Sequence, residues 1–391
     1  MQWQSNNEEC GIVVGGSRGG GPKICHLTSV HWVEDTRILR RECRSLAEAG
    51  YDVTLIARQP AIEPVRGVRV VTVGDARNRF DRMTRVAARV LRTARRERPD
   101  ICHLHDPELL WAGLLLKLSG HRVVYDVHED VPKQIMNKFW IHPWARRILS
   151  WSMIVVESVC GRLFDAIVAA TPTIAEKFPA AKTVVVQNFP ERAIAERGSS
   201  PTGSVTDGAR RYAFAYAGGL NVVQGVRGIM AVAARLPEDA RGVVAGWFDS
   251  DDVEREVKAS AGWRKVDYIG GVSHARVIEA FRSANCGLVI DHPISNYLDS
   301  YSTKMFEYMA CGIPVVCSDF PLWARIVGSA DCGIAVDPLD PFAAADAVAQ
   351  LWKDPEEARR LGENGRRTIL ERFNWESEFA KLDALYQRLT E

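Results

Sequence analysis

The sequence predicts an α/β protein built from two doubly wound domains. Short, nearly all-apolar segments alternate with helix-length ones, a pattern that calls for a parallel sheet covered on both faces. The alternation runs twice, on either side of residues 191–211, where Glu, Arg, Gly, Ser, Pro and Thr leave little to bury. At 391 residues the chain also exceeds what one hydrophobic core usually organises.

Residues 1–22 are polar and glycine-rich and read as a flexible lead-in. Their glycines are no phosphate loop, because such a loop follows a strand and opens a helix. The first strand is Lys23 to Ser29, followed by a helix whose Leu39, Cys43, Leu46 and Ala47 recur at i, i+4, i+7 and i+8. Asp35 stands at its N-cap and Gly50 just past its end. Tyr51 to Ala57 is the second strand. A further β-α-β unit follows: strand Asp100 to His105, a helix opened by Asp106 as cap and Pro107, and strand Arg122 to Val127. This first domain spans 23–190, with 191–211 as linker. The second, 212–372, has strands at 212–217, 242–247, 266–269, 286–290 and 314–318 and helices at 273–284 and 303–311. Two helical patterns hinged near Phe373 close the chain, and 373–391 is expected to pack back towards the first domain.

Lys plus Arg (50) nearly cancel Asp plus Glu (49), which gives no reason to expect nucleic acid as partner. Nine cysteines without a C-x-x-C pair read as small core residues of a reducing cytosol. No secretion leader is recognisable, and the apolar stretch Trp151 to Ala170 is interrupted by Glu157, Arg162 and Asp165. The expectation is a cytoplasmic protein whose membrane contact, if any, is peripheral.

Ligands of open α/β sheets bind at the carboxyl ends of the strands. Four such places carry chemistry: His31, Asp35 and Arg37; His103, His105 and Asp106; Asp126, His128, Glu129 and Asp130; and, in the second domain, Gly218 and Gly219 with the segment Asp299 to Glu307. Two facing sheets would gather them in one cleft. Ser302 or Thr303 can cap the helix that follows, whose first turn offers free N–H groups and a positive dipole end to a diphosphate. Lys304 adds a full charge, and Glu307, one turn on, can accept hydrogen bonds from a ribose. The alternative is a solvated Lys-Glu pair at i, i+3.

The block Tyr301 to Val316, with Gly218-Gly219 before it and Asp331 to Pro338 after it, resembles the retaining glycosyltransferases of family four. Thr28-Ser29-Val30-His31, Asp35 to Ile38, His105 to Leu110 and Tyr125 to Asp130 resemble a bacterial branch of that family. The resemblance implies the B-type fold of two Rossmann-like domains. It also implies a nucleotide-diphosphate-sugar donor held mainly by the second domain, an acceptor held mainly by the first, and no required metal or other cofactor. His128 matches the family's active-site histidine, which hydrogen-bonds the sugar and supports transition-state charge, with Glu129 as its orienter or as an acceptor contact. Glu307 matches the second acid of the family's E-x7-E signature, and the first position holds the shorter Asp299. Where many members carry Arg and Lys after the first strand of the second domain, this chain has Gly219 and Gln224, and Arg227 is the expected substitute at the phosphates. His31, Asp35 and Arg37 are lower-ranked candidates for the acceptor.

Two signals are set aside. His103, His105 and Asp106 are not read as a metal cluster, because Asp106 is assigned to capping; Asp249-x-Asp251 is read as a helix start. Residues 77–98 form a basic amphipathic helix which, with Phe139, Trp140, Trp144 and Trp151, is a candidate for an anionic membrane surface. The acceptor is therefore a glycan, a glycolipid or a small molecule, in polysaccharide or glycolipid synthesis or in natural-product glycosylation. A non-catalytic nucleotide-sugar-binding partner of another transferase is the alternative outside enzymes.

Overall fold

The computed structural model describes residues 20–61, 63–138, 140–197 and 212–391. Most of the expected lead-in, the second half of the expected linker and Phe139 lie outside the described residues. The chain forms two compact units, one of residues 1–187 with 378–391 and one of 188–377.

In the first unit, strand β1 (Lys23–Leu27) leads to helix α1 over residues 36–48 and to β2 (Asp52–Ala57) and β3 (Val68–Thr72). Helix α2, over residues 79–97, precedes β4 (Ile101–Leu104), α3 (Leu110–Leu118), β5 (Arg122–Val127), α4 (Val131–Met136), α5 (Pro143–Leu163), β6 (Ala166–Ala169) and β7 (Thr183–Val185). The strands form one parallel seven-stranded sheet, ordered β3-β2-β1-β4-β5-β6-β7. The order reverses between β1 and β4, where the crevice of a doubly wound sheet opens. Asp35 caps α1 by accepting from the N–H groups of Arg37 and Ile38, and Gly50 beyond the helix has φ +97°. Residues 378–391 complete this unit: Leu382, Leu385 and Tyr386 are buried, and Tyr51 donates to Asp383 at 2.7 Å.

One buried group of this unit has a measurable consequence for stability. Glu157 of α5 is 5% exposed; burial pushes its pKa to about 7, against partial offsets from Lys177 and the Tyr125 hydroxyl. A carboxyl raised in the folded state stabilises fully below its unfolded value of about 4.3, and that stability is lost as pH rises through about 7. Glu157→Gln should therefore leave Tm nearly unchanged at pH 4 and raise it at pH 8, by on the order of 3 kcal/mol in stability. Parallel pH curves for the two proteins would refute this.

The second unit begins with a short helix, α6 (Arg192–Glu196), in the stretch expected to be linker. Its Ala195 is fully buried in the core and Arg192 donates to the Leu370 carbonyl at 2.7 Å, so residues 191–197 are packed structure. The division also falls after Gln187 instead of 190, because the Phe189 ring sits 4.7 Å from Phe306 and 5.1 Å from Phe373. The chain returns to the first unit after Ser377, later than expected, since Trp375 donates its N–H to the Pro190 carbonyl.

The elements that follow are β8 (Phe214–Ala217), α7 (Val226–Arg235), β9 (Gly242–Ala245), α8 (Asp251–Ala259), β10 (Val266–Gly270), α9 (His274–Arg282), β11 (Gly287–Val289), α10 (Thr303–Ala310), β12 (Val315–Ser318), α11 (Pro321–Ala330) and β13 (Gly333–Val336). Helices α12 (Pro341–Lys353), α13 (Pro355–Glu371) and α14 (Trp375–Thr390) close the chain. The six parallel strands run β10-β9-β8-β11-β12-β13, with the reversal between β8 and β11. The doubly wound α/β class is thus realised in both units.

Candidate active site

The second unit presents a glycine turn after β8 beside the start of α10. Gly218 has φ +154°, and a Cβ there would stand 3.5 Å from the Lys304 side chain, so turn and lysine are neighbours. Gly246 supports the turn from behind, where a Cβ would lie 1.8 Å from the Gly218 carbonyl oxygen. Tyr216 donates to the Gly219 carbonyl at 2.8 Å, its oxygen lies 3.1 Å from Gln224 Oε1, and Gln224 N–H donates to Asn221 Oδ1. The Lys304 ammonium rests 5.4 Å from the centre of the Tyr216 ring and 3.6 Å from Asp291 Oδ1. Burial raises the Asp291 carboxyl, and Lys304 partly offsets this.

Ser302 occupies the N-cap position of α10 without a side-chain cap, and so neither it nor Thr303 plays the expected capping part. The start of the helix keeps its positive end for a ligand. Glu307 lies one turn on, with Oε1 2.9 Å from His274 Nε2. Asp299 is exposed, just after the short helix Ser295–Leu298. Asp291, Tyr216 and His274 escaped sequence reasoning: each follows or ends an apolar segment and stands out only through its contacts.

Arg227 is a correction. Its guanidinium makes two hydrogen bonds to Glu256, at 2.7 and 2.8 Å, in an exposed pair, and so is committed to α8 instead of standing in at the phosphates. Arg227→Ala should therefore leave donor affinity within about twofold, since exposed ion pairs contribute little. A tenfold rise in donor KM would restore the phosphate role.

The first unit gathers histidines around one carboxylate. His26 on β1 lies beside His103 on β4, with His105 two residues on and His128 past the end of β5. Asp126 Oδ2 is 2.9 Å from His128 Nε2, 3.4 Å from His105 Nδ1 and 3.7 Å from His103 Nε2. Arg37 closes the other side in a two-pronged contact, Nε to Oδ2 at 3.1 Å and Nη2 to Oδ1 at 2.9 Å. Burial raises the Asp126 carboxyl, but Arg37 and His128 outweigh it and hold the pKa well below the usual range. Burial keeps His26 and His105 neutral, well below the usual histidine value.

The His128 tautomer follows. An ionised Asp126 accepts the Nε2–H of His128 at 2.9 Å, and His105 Nδ1 lies 3.1 Å from that same nitrogen. His105 Nε2 and His26 Nδ1 share a hydrogen bond at 2.9 Å. His128 is thereby left with its Nδ1 lone pair uncommitted to the carboxylate.

Three expectations need correcting here. Arg37 is 4% exposed and braces Asp126, so it is not available to an acceptor. Glu129 does not orient His128, whose carboxylate is that of Asp126, and its exposure leaves only the acceptor-contact alternative. Asp106 does not cap: it accepts from the Thr28 hydroxyl at 2.9 Å and the Val30 N–H at 3.0 Å, fixing the loop after β1. That loop holds His31, whose ring centre is 4.8 Å from that of His128, and whose Nδ1 is 3.6 Å from Asp35. Asp35 serves both as helix cap and as partner of His31, which with the N–H of Ile38 outweighs burial and lowers its pKa.

His26, Glu42, His103 and His105 place metal-type donor atoms within 4.8 Å of one another, as do His105, Asp126 and His128. In the first set the His26 and His103 rings stack with centres 4.7 Å apart and planes 17° from parallel. Imidazole lone pairs lie in the ring plane, so these two cannot aim at one ion. In the second set the carboxylate already carries Arg37. Both sets fit a hydrogen-bonded network better than a metal centre.

Two family models match: a "Glycosyl transferase 4-like domain" over residues 36–188 and "Glycosyl transferases group 1" over residues 208–368. The chain is 22% identical to the glycogen synthase of Mycobacterium tuberculosis, over 85% of this chain and 86% of that one. It is 34% identical to the MMP alpha-(1->4)-mannosyltransferase of Mycolicibacterium hassiacum, but only over 24% of this chain and 23% of that protein. Among solved structures, the sucrose-phosphate synthase of Thermosynechococcus elongatus matches with TM-score 0.73 at 18% identity, over 95% of this chain and 99% of that one. Anabaena HepE in complex with UDP and glucose matches with TM-score 0.71 at 14% identity, over 94% and 100%. The fold is that of the B-type glycosyltransferases, and with both domain models matched in succession along it, the chain belongs to the glycosyltransferases of family four.

Proposed function

We propose that this enzyme transfers a sugar from a nucleotide-diphosphate sugar with retention of anomeric configuration and without a metal, in polysaccharide or glycolipid synthesis. The observation that carries the donor assignment is the junction of the Gly218-Gly219 turn with Lys304 and the uncapped start of α10. A main chain free of side chains, a helix dipole and an ammonium are what a pyrophosphate needs. They supply the positive charge that a leaving nucleoside diphosphate requires, and a metal would otherwise provide. Glu307, steadied by His274, is the ribose acceptor in this reading.

His128 serves electrostatically. With its Nε2–H held by Asp126, the imidazole offers Nδ1 to a sugar hydroxyl and places an electron-rich edge beside a ring that becomes cation-like during transfer. The departing phosphate takes the acceptor's proton. Relatives whose names or structures specify UDP, UDP-glucose or mannosyl transfer support this donor class without fixing the sugar.

A thermal-shift panel of nucleotide sugars tests the reading, because a ligand that binds only the native state raises Tm. The expected result is a rise with one or two donors, retained without divalent cations, and slow donor hydrolysis. No rise with any nucleotide sugar would refute the donor site. A rise without any hydrolysis or transfer would favour a binding protein.

A further inference from the structure

The largest departure from ordinary surface chemistry lies on α5. Nine of its apolar side chains are at least 40% exposed, among them Trp144, Ile148, Trp151, Val155 and Val159 at i, i+4, i+7, i+11 and i+15. At about 100° per residue, the exposed apolar arc covers more than half of the helix. Its sole acidic residue, Glu157, and Ser150 face inward, the reverse of an ordinary surface helix. Exposed patches of this size mark a membrane or partner surface.

The patch does not stop at α5. Helix α3 packs on α5 and exposes Trp111 and, at 84%, Leu118; α2 packs on α3 and exposes Phe80 and Met83. The Trp111 ring N–H donates to the Met83 carbonyl, joining the two segments. Cations border it: Arg147 and Arg162 on α5 and Arg85, Arg92, Arg95 and Arg96 on α2 are exposed. A cavity of about 380 Å³ lies alongside, and Met136 and Ile154 belong both to its lining and to the exposed face. Its lining includes Pro132 and Phe178 and the ammonium-bearing Lys133 and Lys177.

We infer that the α5 face, continued over α3 and α2, is a docking surface for an anionic lipid bilayer. A convex ridge exposing more than half of one helix suits a medium that closes around it, as lipid does around an interfacial helix. Tryptophans with arginines beside them belong at the headgroup level, and the cation border matches anionic lipid. No helix among the described residues is long and apolar enough to cross a membrane, so α5 lies in the interface. The sequence marked the basic helix 77–98 with Trp144 and Trp151; the helix 143–163, which carries both tryptophans, is now the main element, and part of the basic helix's charge is already taken. Arg82 there is held by Glu108, and Arg89 by the carbonyls of Gly74 and Asp75.

The test uses the full-length protein with vesicles of phosphatidylglycerol mixed into phosphatidylcholine, and of phosphatidylcholine alone. Cosedimentation at low salt should favour the anionic vesicles by about tenfold or more, with a blue shift of tryptophan fluorescence. The double variant Trp151→Ser, Val155→Ser replaces exposed residues, so Tm should hold while vesicle binding falls about tenfold. Arg92→Gln with Arg96→Gln should reduce the preference for anionic over neutral vesicles. Absent vesicle binding, or a double variant that binds like wild type, overturns the inference. A concentration-dependent dimer abolished by the double variant, with vesicles ignored, would overturn it in favour of a second copy of the chain.

Discussion

Replacing Lys304 by alanine should lower kcat/KM about 100-fold. A charge-assisted contact to phosphate is worth roughly 1.5–3 kcal/mol, and each 1.36 kcal/mol is tenfold in rate. Negative charge grows on the leaving diphosphate as the glycosidic bond breaks, so part of the loss should fall on kcat and part on donor KM. The substitution also strips Asp291 of its neighbouring cation, 3.6 Å away and nearly buried, and raises that carboxyl's pKa further. Lys304→Arg should recover only part of the rate, because the guanidinium is broader than the ammonium that fits beside Gly218. Steady-state kinetics with the donor found by thermal shift decide it, and a loss under threefold would remove the lysine from the phosphate site.

Asp126→Asn is the second large effect. The amide keeps the shape but loses the charge that holds His128 Nε2–H, and its NH2 group now competes to donate. The His128 ring then exchanges tautomers, so the edge turned to the sugar changes from acceptor to donor. A carboxylate-to-amide change behind a catalytic histidine can cost up to about 10⁴ in kcat where the histidine moves a proton. With an electrostatic role alone, the expected loss is about 100-fold in kcat, with donor KM within about threefold. Arg37 keeps Glu42, 3.0 Å from its Nε, but loses its two-pronged contact to Asp126, which should also lower stability by about 1.5–3 kcal/mol. Nitrogen-15 shifts of His128 separate the two effects: protonation confined to Nε2 in wild type, mixed in the variant. An unchanged tautomer with normal kcat would show that Asp126 serves the fold alone.

Most of the sheet was legible because its strands are unbroken apolar runs bounded by caps and glycines, as in β1, β2, β4 and β5. Strands β3, β6, β7 and β13 were not: the three later ones are only three or four residues long, and the five residues VRVVT of β3 carry Arg69, which reaches Glu97 and Thr54 from the strand. The grouping of the candidate donor residues was legible because Lys304, Glu307 and the helix start lie within one turn of each other. In the histidine half, His103, His105, Asp126 and His128 were named but their arrangement around one carboxylate was not, since it comes from residues far apart in sequence. Arg37 meets Asp126 across 89 positions, and a sequence shows that an arginine is charged without showing that it is buried. Arg227 failed for the mirror reason: proximity along the chain suggested the phosphates, and Glu256, 29 residues away, had already taken it.

The return of residues 378–391 to the first unit sets an order on biosynthesis. Tyr386 supplies the hydroxyl beside His103 Nδ1, and Glu378 accepts the Gln187 N–H, so the amino-terminal unit is complete only once residues 378–391 have left the ribosome. Residues 188–377 are contiguous and need no such wait. The half that emerges first is therefore the half completed last, and a released chain cut at residue 377 would keep every residue of the carboxyl-terminal unit while leaving His103 without the Tyr386 hydroxyl.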